Sequence, residues 1–391
     1  MKVLMINSVC GIRSTGRICT DIAEELERQG HEVKIAYGRE TVPEKYRKYA
    51  VRIGTDLDVK LHGLKTRLLD RHGFGSARAT KKFIKWVKEF DPDVIHLHNL
   101  HGYYINVKVL FDYLRTCGKK IIWTLHDCWA FTGHCSHFDY IGCDRWKNGC
   151  KSCPNKREYP KSIFLDNSKN SYNLKKNSFT GIENLTIVTP SKWLKNLVRE
   201  SFLSQYEIKC IYNGIDTNIF KPTNSDIKKR YDLDDKRVVL AVSSVWNTKK
   251  GYHDILALSR MLPDAYRIVI VGISEKQAKE LPENIVGICR TNNTKELAEL
   301  YTCAEVFVNP TYEDTYPTVN LEAQACGTPV ITYKTGGSVE SVPVLNQVDR
   351  GDLCTLKKII VTSTYSYEMN ANTTLKIETF VKEYIGVYGF S

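Results

Sequence analysis

The chain has 391 residues, more than one ordinary hydrophobic core serves, so two domains of roughly 200 residues each are expected. Hydrophobic residues make up 42% and charged residues 26%, as in a water-soluble globular protein, and no apolar run reaches the roughly 20 residues of a membrane-spanning helix. The net charge of +12 would suit nucleic acid, but the basic residues are scattered along the whole chain and match no zinc-finger, RRM or KH pattern, which argues against a nucleic-acid partner.

The N-terminal residues and the cysteines bear on the cellular compartment. Residues 1–6 form too short an apolar run for a signal peptide, so we expect a cytoplasmic protein whose 13 cysteines are mostly reduced. The positive charge would also suit an anionic membrane surface. Its densest stretch, 81–88, is interleaved with Phe83, Val87 and Phe90 at helical spacing. That spacing favours an amphipathic helix packed on a sheet over peripheral contact with the inner membrane face.

The first half of the chain alternates apolar runs with polar loops and helical patterns, which predicts a parallel sheet with helices on its faces. The predicted strands cover residues 2–8, 31–37, 94–98, 120–127 and 185–191. Residues 40–75 receive no assignment. The loop 9–17 follows the first strand, so its amides would face a ligand cleft. With only Gly11 and Gly16 it lacks the G-x-G-x-x-G fingerprint, which argues against an NAD-dependent dehydrogenase.

A polar and aromatic loop follows the strand 94–98. Ligands of open α/β sheets bind at the carboxyl ends of the strands, so His98, His101 and Tyr103 are candidates for a ligand pocket. Alternation places His96 on the same side as His98, and a histidine satisfied within the core is an equally good interpretation for it.

The strand 120–127 ends in the pair His126-Asp127. A carboxylate beside a histidine orients the imidazole or fixes its tautomer, which makes the pair a candidate for catalysis. The alternative is that Asp127 only caps the segment that follows.

That following segment is rich in cysteine. Four cysteines are spaced C-x7-C-x6-C-x2-C, namely Cys135, Cys143, Cys150 and Cys153. They offer an all-thiolate ligand set for a structural zinc ion, with His134 and His137 as alternates. Unligated thiols are the other interpretation. No three-ligand catalytic metal pattern is evident, so we expect no metal to be required for catalysis.

The second half of the chain repeats the alternation of strands and helices beyond a domain boundary near Gln205. Its predicted strands cover residues 208–212, 237–243, 266–272, 284–290, 304–309 and 330–333. The tail, 375–388, predicts a last helix.

The stretch 309–330 organises this half. It predicts the end of a buried strand, a polar turn with two acids, a helix that opens near Pro317, and a new strand after Gly327. Free backbone N–H groups at the helix start make an anion site, and Glu322 can face the same crevice about one and a half turns later. Amides for a pyrophosphate and a carboxylate for ribose hydroxyls would together hold a nucleoside diphosphate.

The pair Asp314 and Glu322 resembles the acid-x7-acid signature of the retaining glycosyltransferases of family 4, the "glycosyl transferases group 1". Residues 213–222 and the Gly-Gly-x-x-Glu turn at 336–340 also resemble this family. The resemblance implies an α/β protein of the GT-B fold, with two Rossmann-like parallel-sheet domains facing a cleft. The implied domains are 1–205 on the acceptor side, with a cysteine-rich loop over 128–153, then 206–372 for the nucleotide sugar, and a C-terminal helix, 373–391, that packs back on the first domain.

The family's site roles carry over by position. The resemblance places Glu322 at the ribose and Asp314 beside the donor sugar, with Glu313 one residue early. It places His126 near sugar and acceptor, and Lys250 at the leaving diphosphate. The family's arginine position holds Val245, and Lys249 would compensate for it. The implied donor-binding set is Gly16, Lys249, Arg290, Glu313, Thr315, Tyr316, Pro317, Thr318 and Glu322; the implied catalytic set is His126, Asp127, Asp314 and Lys250.

The segment from His126 to Cys135 further resembles a subgroup that builds capsular or exopolysaccharide chains. The function so implied is transfer of a sugar, with retention, from a nucleoside diphosphate, UDP in preference to GDP, to an acceptor hydroxyl on a saccharide or lipid-linked saccharide. The alternatives are a sugar-nucleotide 2-epimerase of the same fold and a non-catalytic nucleotide-sugar-binding protein.

Overall fold

The computed structural model describes residues 1–368 and 376–389, and close contacts divide the chain into two compact units. The first unit comprises Met1–Ile211 and the C-terminal residues from Val381 onward. The second unit comprises Tyr212–Phe380. Each unit contains one parallel sheet.

Seven strands form the sheet of the first unit: β1 (Lys2–Ile6), β2 (Glu32–Tyr37), β3 (Ala50–Arg52), β4 (Val94–Leu97), β5 (Lys120–Thr124), β6 (Leu185–Thr189) and β7 (Glu207–Cys210). Their order is β3-β2-β1-β4-β5-β6-β7, and every pair is parallel. Successive strands are added in one direction from β1 to β3 and in the opposite direction from β4 onward, so the strand order reverses between β1 and β4. At such a reversal an open parallel sheet forms a ligand crevice.

Residues 1–211 of this unit contain the helices α1 (Arg13–Arg28), α2 (Asp56–Leu69), α3 (Ala77–Phe90), α4 (Val107–Leu114), α5 (Ser168–Phe179) and α6 (Lys192–Arg199). Helix α1 buries Ile18, Ile22 and Leu26, the face that the sequence pattern predicts. Helix α3 buries Phe83 and Val87 and exposes its lysines, which agrees with the amphipathic interpretation of this basic stretch.

Several strands of this unit end up to three residues before their predicted ends, as β5 does at Thr124, and two larger differences from the sequence prediction occur. Strand β7, predicted at the start of the second domain, pairs with β6 and completes the first sheet. Residues 40–75, which received no assignment, contain β3 and α2. Strand β3 is too short to show a pattern, and α2 escaped notice because the residues it buries are polar.

The second unit has six parallel strands: β8 (Arg237–Val242), β9 (Tyr266–Val271), β10 (Ile285–Ile288), β11 (Val306–Asn309), β12 (Val330–Tyr333) and β13 (Gln347–Val348). Their order is β10-β9-β8-β11-β12-β13, so the reversal lies between β8 and β11. The helices are α7 (Ile227–Arg230), α8 (Tyr252–Met261), α9 (Glu275–Lys279), α10 (Thr294–Cys303), α11 (Thr318–Ala325) and α12 (Leu353–Thr362). Apolar runs in β8, β9 and β11 are buried, as expected of parallel strands covered on both faces.

The last helix, α13 (Ile377–Tyr388), ends in the first unit. The Tyr388 hydroxyl lies 2.8 Å from His96 Nδ1, and the Tyr384 hydroxyl lies 2.9 Å from Thr124 Oγ1. These bonds tie the helix to β4 and β5. Leu375, where the sequence pattern begins this helix, and the predicted boundary at 372/373 lie outside the described residues.

The two Rossmann-like parallel sheets confirm the predicted fold class. Among the helices of residues 1–368 and 376–389, none is long and apolar enough to cross a membrane.

Candidate active site

Two lysines and two carboxylates meet in the second unit, where β8 and β11 end. The Lys250 ammonium donates to Asp314 Oδ2 at 2.7 Å and to the Glu313 carbonyl at 3.2 Å. Lys249 Nζ lies 3.1 Å from Glu313 Oε2. Because β8 and β11 flank the reversal of the sheet, this charge cluster lies where open α/β sheets bind their ligands.

Backbone contacts hold the loops of this cluster together. The Tyr312 N–H donates to the Lys249 carbonyl at 2.8 Å, and the Gly337 N–H donates to the Asp314 carbonyl at 3.2 Å. At Gly336 the backbone has φ +49°, and a Cβ there would lie 2.0 Å from the Asp314 carbonyl oxygen. Only glycine therefore allows the turn after β12 to approach the Asp314 loop so closely.

Helix α11 begins directly after the two acids. Its N-cap is Pro317, which makes no side-chain cap hydrogen bond, whereas α10 is capped by the Asn293 side chain. Thr315 and Tyr316 lead into the helix, and the Tyr316 N–H donates to Asp314 Oδ1 at 3.3 Å. The first-turn N–H groups, beginning at Thr318, are thus not covered by a capping side chain, which is the condition for binding an anion there.

Glu322 lies in the second turn of α11 and is only 2% exposed. Its Oε2 accepts a hydrogen bond from the Tyr301 hydroxyl at 3.1 Å. The preceding turn is fixed by Asn320, whose Nδ2 donates to Ser338 Oγ at 3.2 Å and Ser341 Oγ at 2.9 Å. Sequence reasoning missed Tyr301 and Asn320, because within helical patterns they are indistinguishable from ordinary core and surface residues.

Two predicted donor residues lie apart from this cluster. Arg290 is exposed and follows the last residue of β10, Ile288, by two positions. Gly16 belongs to the first turns of α1 in the first unit, where a Cβ would lie 3.0 Å from Val9 Cγ2. Their roles at the donor stay predictions.

The acceptor-side candidates of the first unit gather where β4 and β5 end. His98 Nδ1 lies 3.0 Å from His126 Nε2, and the two rings stack at 12°. Burial lowers the pKa of His126 to about 4 and the pKa of His98 well below its usual value. Both imidazoles are therefore neutral near pH 7, and one of them donates the shared hydrogen bond. The neighbouring His96 bonds Tyr388 and Thr124 through its two nitrogens, so it is a satisfied core histidine.

Asp127 contacts His101. Its Oδ2 lies 2.7 Å from His101 Nε2, and its Oδ1 accepts the Trp129 N–H at 2.9 Å. Burial alone would raise the pKa of Asp127, but the nearby His101 lowers it to about 2. The carboxylate thus caps the segment that follows and orients His101, which corrects the expectation that it orients its sequence neighbour His126.

The cluster continues through an aromatic residue that sequence reasoning missed. The Tyr159 hydroxyl lies 3.0 Å from His101 Nδ1, and the Tyr159 ring lies 6.2 Å from that of Tyr103. Tyr103 itself adopts a positive φ of 69°, which turns the chain sharply after β4. Tyr159 is 58 residues from His101 in the chain, and no sequence pattern connects the two residues.

The four predicted zinc ligands, Cys135, Cys143, Cys150 and Cys153, line one cavity of about 10 Å³ together with His134. The Gly133 N–H donates to Cys150 Sγ at 3.1 Å. A hydrogen bond from Cys135 lowers the pKa of Cys153 to about 7, and burial raises the pKa of Cys150 to about 11. In the described part of the chain, no group of three or more cysteine, histidine or acidic side chains is arranged to hold a metal ion. The zinc interpretation therefore stays a prediction.

Family models match most of the chain. The model for Glycosyltransferase Family 4 matches residues 15–219, and that for Glycosyl transferases group 1 matches residues 223–344. Among curated proteins, the chain is 23% identical to WcaC of Escherichia coli (strain K12), over 99% of both chains. WcaC is provisionally named a colanic acid biosynthesis glycosyl transferase. The chain is also 28% identical to the processive diacylglycerol alpha-glucosyltransferase of Acholeplasma laidlawii, over 39% of this chain and 48% of the relative.

Solved structures with the same fold cover the whole chain. Sucrose-phosphate synthase from Thermosynechococcus elongatus superimposes with a TM-score of 0.73 at 15% identity, over 99% of this chain and 98% of the other. Anabaena Alr3699/HepE in complex with UDP-glucose gives a TM-score of 0.66 at 17% identity, over 100% and 99% of the two chains. At these identities the likeness establishes the fold alone.

Proposed function

The chain belongs to Glycosyltransferase Family 4, and from this premise we propose that it transfers a sugar from a nucleoside diphosphate, UDP in preference to GDP, to an acceptor hydroxyl with retention. The observation that carries the proposal is the pairing of Lys249 and Lys250 with Glu313 and Asp314 beside the uncapped start of α11. A structural neighbour solved with UDP-glucose supports the choice of UDP. The similarity to WcaC supports a role in cell-surface polysaccharide biosynthesis, of the capsular or exopolysaccharide type.

In the proposed reaction the bond between the anomeric carbon and the diphosphate oxygen breaks, and a bond to the acceptor oxygen forms. The acceptor proton passes to an oxygen of the leaving diphosphate. Lys250 and the N–H groups at the start of α11 stabilise the charge that develops on the diphosphate. Glu322 accepts the ribose hydroxyls, and Asp314 lies beside the donor sugar. The reaction needs no metal in this scheme.

We assign the acceptor to the first unit, to His98, His101 and Tyr103, where His98 lies 3.0 Å from His126. A neutral imidazole can donate to one sugar hydroxyl and accept from another, and the lowered pKa of His126 keeps it neutral. Asp127 acts through His101, whose position it fixes. The acceptor would be a saccharide or lipid-linked saccharide, met in the cytoplasm at the inner face of the membrane.

We also propose a structural zinc ion on the four cysteines of the loop over 128–153. Their common cavity and the hydrogen bond from Gly133 to Cys150 support it, because zinc-bound thiolates commonly accept backbone N–H groups. Metal analysis of the purified chain should find about one zinc per molecule, lost in Cys150→Ser/Cys153→Ser. The zinc proposal would be wrong if the purified wild type contained no metal, its four thiols reacted freely, and the double variant were as stable as the wild type.

The test of the main proposal is an assay of nucleotide release from a panel of UDP- and GDP-sugars, with and without saccharide acceptors. We expect acceptor-dependent release of UDP, and a product whose anomeric configuration, read by NMR, is that of the donor. Conversion of the donor without any acceptor would favour the epimerase instead. Binding without consumption under every acceptor would favour a nucleotide-sugar-binding protein.

A further inference from the structure

Helix α2 has its leucines on the outside. Leu57, Leu61, Leu64 and Leu68 follow one another at four- and three-residue intervals and so form one stripe. The apolar stripe of a helix in a globular protein normally faces the core, yet the exposed fractions of these four leucines are 64%, 56%, 53% and 38%. The residues that α2 buries are His62 and Thr66.

Polar contacts, rather than the leucines, hold α2 in place. His62 Nε2 accepts the N–H groups of Gly73 at 3.2 Å and Gly75 at 3.1 Å, and its Nδ1 lies 3.0 Å from Ser76 Oγ. A capping box between Thr55 and Asp58 closes the N-terminus of the helix. The outward leucines therefore do not contribute to the buried core of this unit.

A second apolar segment adjoins the end of α2. Ile163, Phe164 and Leu165 are 51%, 67% and 52% exposed, and the Ile163 N–H donates to the Arg67 carbonyl at 2.8 Å. The four leucines of the stripe and residues 163–165 are called the apolar face below. Exposed apolar surface of this extent on a protein usually marks a site that binds a partner or a membrane.

Cations and a cavity border the apolar face. Lys60 and Arg67, seven residues apart, are exposed on the same flank of α2. A cavity of about 500 Å³ opens beside Arg67; its other polar lining residues are Arg157, Lys161, Glu158, Tyr103 and Tyr159. It therefore combines three cations with one carboxylate. Because Tyr159 contacts His101 at 3.0 Å, the cavity adjoins the acceptor-side histidines.

We propose that the apolar face rests on an anionic lipid bilayer, and that the cavity binds the phosphate of a lipid-linked acceptor held in that bilayer. The leucines and Phe164 would enter the boundary between headgroups and acyl chains, while Lys60 and Arg67 meet lipid phosphates. Charge favours an anionic bilayer over a second copy of the chain, because lipid phosphates attract these cations, whereas a second copy carries the same net charge of +12. The cavity half of the proposal rests on the proposed function; the bilayer half does not.

The bilayer is tested by co-sedimentation of the full chain with phosphatidylcholine vesicles, with and without phosphatidylglycerol. We expect binding that needs the anionic lipid, weakens with salt, and falls at least about tenfold in Leu61→Gln/Leu64→Gln. The control Val344→Gln/Leu345→Gln removes apolar side chains of the second unit that are at least as exposed, and it should leave vesicle binding unchanged. Undiminished binding of the leucine variant would overturn the proposal, as would a dimer that this variant dissociates.

The cavity is tested with short-chain phosphatidic acid against inorganic phosphate. Each of Arg157→Gln and Lys161→Gln should weaken binding of the lipid phosphate about fivefold, whereas Lys279→Gln, an exposed lysine of the second unit, should not. Equal affinity for inorganic phosphate would mark a free-phosphate site and overturn the lipid assignment. UDP binding, measured on the same preparations, requires neither vesicles nor this cavity. If the wild-type chain binds no UDP, the proposed function fails. If it binds UDP but no lipid, this inference alone fails.

Discussion

Lys250 makes the most direct contact in the donor cluster, with its ammonium on both the Asp314 carboxylate and the Glu313 carbonyl. In the proposed reaction it stabilises charge that appears mainly as the diphosphate leaves, so its removal should affect turnover more than binding. We expect Lys250→Met to lower kcat about 10²–10³-fold with a smaller change in UDP affinity. Lys334→Met, which removes an exposed lysine paired with Asp349, is the matched control and should leave both unchanged. Weaker UDP binding with an unchanged kcat would show that Lys250 only binds the donor.

Residues that look alike in sequence have different roles in the structure. His96 and His98 lie two positions apart with their side chains on the same side of the strand, yet the first is fully satisfied by Tyr388 and Thr124, and the second contacts His126. The sequence pattern left both interpretations open for His96, because its partner Tyr388 is 292 residues away. The partner of Asp127 was also beyond the sequence pattern, because its contact with His101 depends on how β4 and β5 align.

At the scale of single elements, α2 depends on one buried histidine. His62 Nε2 can accept the Gly73 and Gly75 N–H groups only when that nitrogen carries no proton, and burial lowers the pKa of His62 to about 4. His62→Ala would leave two buried N–H groups without this acceptor, so we expect a loss of roughly 2–4 kcal/mol in the free energy of unfolding. Denaturant titration measures it. His253→Ala, at an exposed histidine, should stay within about 0.5 kcal/mol of the wild type.

The strands were more predictable than this helix. Apolar runs such as 237–242 and 266–271 are buried on both faces and stand out from their polar flanks, so the predicted strands agree with β8 and β9 to within a residue. Helix α2 has a clear leucine spacing, but its apolar stripe faces outward and its buried face is polar, so no core could be assigned to it. The loops of the site also lay beyond sequence reasoning, because their positions depend on contacts such as that between Tyr159 and His101.

At the scale of the whole molecule, buried histidines are confined, among the described residues, to the first unit. Burial lowers the pKa values of His62 and His126 to about 4, and it also lowers the pKa values of His72, His96 and His98 well below their usual range. The unfolded chain takes up protons below about pH 6.5, where these folded-state groups do not, so stability falls as pH falls.

We expect this loss to run from about pH 6.5 to pH 4, at about 1.4 kcal/mol per pH unit for each fully buried histidine, and to cease for His62 and His126 below pH 4. Unfolding followed by the buried tryptophans of the first unit, such as Trp123, should then become easier with acid before the second unit changes. Stability independent of pH in this window would show that the histidines are solvated in the folded protein.

The central claim is that the second unit binds a nucleoside diphosphate with its ribose on Glu322. Calorimetric titration of UDP and GDP into the wild type, Glu322→Gln and the exposed control Glu275→Gln tests it most directly. We predict that UDP binds more tightly than GDP, that Glu322→Gln weakens UDP at least about tenfold, as loss of a charged hydrogen bond should, and that the control binds like the wild type. A wild-type chain that binds neither nucleotide, or a Glu322→Gln variant that binds UDP unchanged, would contradict the assignment of this site.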